Sequence, residues 1–86
     1  RNRGASMSAD LKKPAKLQVN TSGAWKDVVR FDATDVAETD RVTDAADELG
    51  QVGAGAITFR LVSDEALPRV LFRWTHPVGW KAVEHG

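Results

Sequence analysis

Cysteine is absent from the chain. That excludes a disulfide scaffold and any thiolate zinc site, and it fits a reducing, cytosolic compartment. No apolar run approaches the roughly 18 residues that a membrane span needs. No signal-peptide hydrophobic region is present either, so no membrane partner is expected. Net charge is missing as well: 12 Lys and Arg balance 12 Asp and Glu. Imidazoles are scarce, with His76 and His85 the whole supply. The glycines of Gln51 to Ala56, QVGAGA, match neither GxGxxG nor GxxxxGK(S/T), so they read as a connector rather than a phosphate cradle. No EF-hand pattern occurs. Neither cofactor nor metal is expected.

What is present is an ordinary globular composition. The 86 residues are 42% hydrophobic and 28% charged, enough for one small domain with a modest core. Arg1 to Ser6, RNRGAS, precedes Met7 and reads as a cloning remnant. Residues 7–15 read as a flexible lead-in, 16–83 as a single domain, and 84–86 as a tail.

The organising stretch is Asp35 to Gly50, DVAETDRVTDAADELG. Val42, Ala45, Ala46 and Leu49 recur at i, i+3, i+4 and i+7, the repeat of an amphipathic helix. Asp35 suits the N-cap, with Thr34 as its rival, and Gly50 suits a left-handed C-cap. Asp47 and Glu48 stand at the wrong end of the helix dipole. Charge concentrates here: between residues 32 and 48, seven acids face Arg41 alone, a sum of −6. The remainder of the chain carries the balancing +6, or +4 without Arg1 and Arg3, so an acidic helix on a mildly basic sheet is expected.

Alternation defines the strands. Lys16 to Asn20 places Leu17 and Val19 on one face, and the Asn-Thr-Ser-Gly cluster ending at Gly23 makes a turn. Trp25 to Phe31 follows, with Trp25, Val29 and Phe31 on one face and Lys26, Val28 and Arg30 on the other. Asp27 falls on the apolar side, which signals a bulge or a frayed end. Ile57 to Ser63 and Arg69 to Thr75 form a second hairpin. Ile57, Phe59, Leu61, Val70, Phe72 and Trp74 point inward there; Thr58, Arg60, Val62, Leu71 and Arg73 point outward. Trp80, Ala82 and Val83 offer a short fifth strand. The expected fold is α+β, β-β-α-β-β, an antiparallel four-stranded sheet with one helix packed on one face.

One helix covers one sheet face. The other should carry Lys16, Gln18, Lys26, Val28, Arg30, Thr58, Arg60, Val62, Leu71 and Arg73, a basic surface with an apolar strip of Val28, Val62 and Leu71. The binding residues are therefore expected among Lys26, Val28, Arg30, Arg60, Val62, Leu71 and Arg73, engaging a protein partner or a second copy of the chain. Single-stranded nucleic acid is an alternative ligand. Against it stand the strand aromatics, Trp25 among them, which fall on the inward face and leave no stacking platform. The pI near 6.9 lacks an excess of base. A second alternative uses the acidic helix face, Asp40, Asp44, Asp47 and Glu48, as an inhibitor or DNA mimic. Catalysis lacks support: His76 has no placeable carboxylate, and Ser22 and Ser63 have no placeable histidine.

The run from Leu17 to Asp64 combines a short strand, WKDVVRF, an acidic helix containing DAADEL, and FRLVSD. It resembles small orphan proteins encoded in phages and prophages, which often carry a comparable Trp-basic-x-Val-Val start before a helix. The resemblance implies a virion part or a host-modulating accessory protein in the host cytosol, not a metabolic enzyme. It carries no catalytic residues across.

Overall fold

Two local devices start the chain folding back on itself. The Asn20 side chain accepts from the Gly23 backbone N–H at 2.8 Å, and Gly23 takes a φ of 97° that favours glycine. A computed structural model of the chain describes residues 12–83. The expected cloning remnant, most of the 7–15 segment and the 84–86 tail with His85 lie outside the described residues.

Five strands and one helix follow in the order β1 (Pro14–Asn20), β2 (Trp25–Asp32), α1 (Val36–Gly53), β3 (Thr58–Ser63), β4 (Val70–Thr75) and β5 (Gly79–Ala82). All pairings are antiparallel, and the sheet order is β2-β1-β3-β4-β5. The fold is the α+β arrangement that alternation and helical periodicity indicate. Strand β1 starts earlier than expected: Pro14 and Ala15 belong to it, and Ala15 is buried.

Helix α1 is capped by Asp35, whose carboxylate accepts from the Glu38 N–H at 3.0 Å. It does not stop at Gly50. It runs to Gly53, and Ala54 supplies the left-handed C-cap at φ 51°. Gly50 instead forms a notch in the buried face, where an added Cβ would lie under 3.0 Å from the Trp74 ring. Ala46 and Gly50 are buried, whereas Leu49, expected in the core, is 57% exposed.

The core lies between α1 and one face of the sheet. Ala15, Leu17, Phe31, Ala46, Phe59, Leu61 and Trp74 form it, with Phe59 and Trp74 packed edge-to-face at 5.9 Å between centroids. Two indoles pin the helix. Trp74 Nε1 donates to Asp47 Oδ1 at 2.9 Å, and Trp80 Nε1 donates to the Thr43 carbonyl at 3.0 Å. Trp80 pairs with Trp74 in the β4–β5 ladder, so the C-terminal strand presents its tryptophan to the helix side and leaves the opposite face uncovered.

Two bulges change which side chains share a face. In β1–β2, Leu17 pairs with Val29 but Gln18 pairs with Asp27, which leaves Val28 as the extra residue. Every residue before Val28 is thereby moved to the other side relative to simple alternation. Lys26 comes opposite Val19 on the helix side, and Trp25 comes opposite Asn20 on the open side. In β3–β4, Leu61 pairs with Phe72 and Val62 with Val70, so Leu71 is the extra residue and Val70 moves to the open face. Val29 and Phe72 remain on the helix side but are 43% and 42% exposed, each lining an open depression beside α1.

Candidate functional site

The open face is divided electrostatically. In one half, Gln18 Nε2 donates to Asp27 Oδ1 at 2.7 Å and Lys16 Nζ lies 3.2 Å from Asp27 Oδ2. Lys16 also approaches Asp64 at 4.0 Å, and Arg30 Nε donates to the same carboxylate. Hydrogen bonds from Gln18 first, then from Lys16, hold the Asp27 carboxyl below the usual carboxylate range. Each cation in this half has an acid beside it.

The other half has cations without acids. Arg60 on β3 pairs with Arg73 on β4, and Arg73 pairs with Lys81 on β5. The three side chains stand in one row across adjacent strands, roughly 5 Å apart at each step. Among the described residues none of them forms an ion pair. Arg60 is held in place by Gln18, whose Oε1 accepts from its Nε at 2.7 Å, and by Trp25. The guanidinium carbon lies 4.2 Å from the Trp25 ring centroid, a cation–π contact that reaches over β1. Burial, and then the neighbouring Arg73 charge, pushes the Arg60 pKa below its ordinary value, though a guanidinium remains charged throughout the physiological range. Trp25, Thr58, Arg60, Arg73 and Thr75 line a shallow depression of about 330 Å³ here.

The residues expected to bind are only partly brought together. Arg30, Arg60 and Arg73 do share the open face. Lys26 does not, for it projects on the helix side. The apolar strip does not form: Val62 is on the open face but only 3% exposed, and the bulges draw Val28 and Leu71 elsewhere. Val28 lines a groove of about 480 Å³ between edge strand β2 and α1, together with Val29, Arg41, Val42 and Ala45. Leu71 lines a separate depression of about 240 Å³ with Pro14, Ala33, Ser63 and Arg69.

Alternation alone does not reveal Trp25 or Lys81 as members of this face. Asp27 on an apolar face is the available signal for Trp25, because the bulge that rescues Asp27 also turns Trp25 over. On the helix, Asp40, Asp44 and Glu48 form one exposed row at i, i+4 and i+8. Asp47 leaves that row to receive the Trp74 indole N–H, so the acidic face is a single line rather than a two-row array. His76 sits exposed in the turn between β4 and β5, and no hydrogen bond or ion pair joins it to a carboxylate among the described residues. No group of three or more His, Asp or Glu gathers for a metal ion among the described residues, and no helix among them is long and apolar enough to cross a membrane. Comparisons with protein-family models, curated proteins and solved structures gave no match.

Proposed function

We propose that this chain is a non-enzymatic interaction module that holds an anionic partner against the open face of its sheet. The supporting observation is the row Arg60, Arg73 and Lys81, three cations in cross-strand register. Like charges placed directly opposite each other weaken a sheet by a few tenths to about 1 kcal/mol per pair. A row with two such pairs lowers stability unless an anion neutralises it. The acidic line on α1 lies behind the sheet, so the field favours an anion on the open side and repels it on the other.

Retention on a heparin column tests this reading. Arg73→Glu combined with Lys81→Glu should elute at distinctly lower salt than the parent chain, while Lys26→Glu on the helix side should change elution little. Equal shifts from both variants, or no retention of the parent, would remove the proposal.

A second reading is self-association along the β2 edge, favoured by the exposed Val28 and Val29, 53% and 43% accessible beside the groove under α1. It predicts a dimer in sedimentation at micromolar concentration that Val29→Glu dissociates. A strict monomer before and after the substitution eliminates it. The virion or host-modulating setting implied by the resemblance of Leu17 to Asp64 belongs to the same proposal, and adjacency to capsid or tail genes would support it.

A further inference from the structure

Resting on the anion-binding reading above, we infer that the open face takes single-stranded nucleic acid, with bases stacked at Trp25 and phosphates held along Arg60, Arg73 and Lys81. A polyanion alone would need only the cations. The face also offers an aromatic ring, and it is placed at the end of the row rather than apart from it. Trp25 is only partly buried, and the Arg60 guanidinium covers its ring at 4.2 Å. Indole and guanidinium planes are both surfaces on which unpaired bases stack. From that platform the cations lead away across β3, β4 and β5, so a strand with a base at Trp25 can run its backbone across the sheet. Thr58 and Thr75 line the same depression and add hydroxyls for phosphate or sugar oxygens.

The geometry separates single strands from duplexes. The face is a five-stranded sheet, broader than the single helix or two-stranded ribbon that a major groove admits, and a stacking platform has no use for bases already paired within a helix. Trp74 and Trp80 both bond to α1, so neither can substitute for Trp25. An acidic peptide would satisfy the arginines but would use the Trp25 indole only through its cation–π contact with Arg60, whereas an unpaired base can also stack on it.

The experiment is fluorescence anisotropy of a labelled oligothymidylate against the intact chain, with equal-length duplex DNA, heparin and an oligoglutamate as competitors. The single strand should bind and the duplex should compete weakly. Affinity should fall roughly 20-fold between 50 and 200 mM salt if about three phosphates are neutralised. Trp25→Ala should lose about ten-fold or more in affinity, from the loss of a stacked base, while Trp25→Phe should keep most of it. Arg73→Gln, exposed and remote from the core, should weaken binding whether or not Trp25→Ala folds fully. If duplex or heparin competes as well as the single strand and both Trp25 variants bind normally, the nucleic-acid inference fails and the anion-binding reading survives. Competition by oligoglutamate alone would likewise overturn the first and leave the second standing. If no anion binds, both fail.

Discussion

Trp74 sits against the backbone of Gly50, with its ring occupying the space a Cβ would need. The contact places the least exposed side chain of the core directly under the helix, and it predicts an inverted outcome for a standard stabilising substitution. Gly50→Ala gains about 1 kcal/mol of helix propensity but drives a methyl group into the indole. Overpacking of this kind costs about 1–3 kcal/mol. Urea unfolding should therefore show Gly50→Ala to be less stable than the parent, and a more stable variant would mean that the helix rides further from the sheet.

Asp47 makes the second contact to the same indole. Its carboxylate accepts from Trp74 Nε1 at 2.9 Å, and because α1 runs on to Gly53 this acid lies more than a turn from the helix end, where the expected dipole penalty does not apply. Asp47→Ala should cost about 1.5–3 kcal/mol, as for a hydrogen bond to a charged group. Asp44→Ala, three residues earlier on the exposed row, should change stability little. Equal effects of the two in chemical denaturation would count against this role for Asp47.

Acid should loosen the junction where β1, β2 and the helix entrance meet. The Thr34 backbone N–H, then its hydroxyl, then the amides of Lys13 and Lys12 hold the Asp32 carboxyl down to about 2, against an ordinary 3.8. A depressed folded-state pKa means that this contribution is present in full above the unfolded value and is lost as pH falls. Stability should therefore decline from near pH 4 toward pH 2 with a component that Asp32→Asn abolishes. Thermal melts across that window check it, and an unchanged slope in the variant would contradict it.

Sequence patterns of this chain reveal elements more readily than faces. Alternation in FRLV and VLFRW identifies β3 and β4, and the apolar repeat from Val42 onward identifies α1, because each is a local property. A bulge depends on the partner strand. Asp27 betrays the first one by sitting at an apolar position, yet only the pairing of Gln18 with Asp27 shows that Trp25 turns outward. The cationic row is half visible: Arg60 and Arg73 share the outward face of the second hairpin in the sequence, but their direct opposition and the place of Lys81 beside Arg73 appear only in the pairing register. Gly50 and Asp47 carry signals that local rules misread: a glycine near a helix end suggests a cap, and an acid there suggests exposure. Both serve Trp74.

The cationic row should trade stability for binding. Replacing the middle member, Arg73→Gln, relieves two like-charge pairs and should raise stability by roughly 0.5–2 kcal/mol. The same variant should bind polyanions more weakly. A loss of stability at low salt would show that Arg73 is structural rather than held in reserve for a ligand.

Amide and indole chemical-shift mapping with an oligothymidylate tests most directly whether the open face is the binding surface. Shifts should appear at the Trp25 indole N–H and at Arg60, Arg73 and Lys81, with Asp40, Asp44 and Glu48 unmoved. Shifts confined to the helix, or to the groove beside Val28 and Val29, would contradict an open-face site.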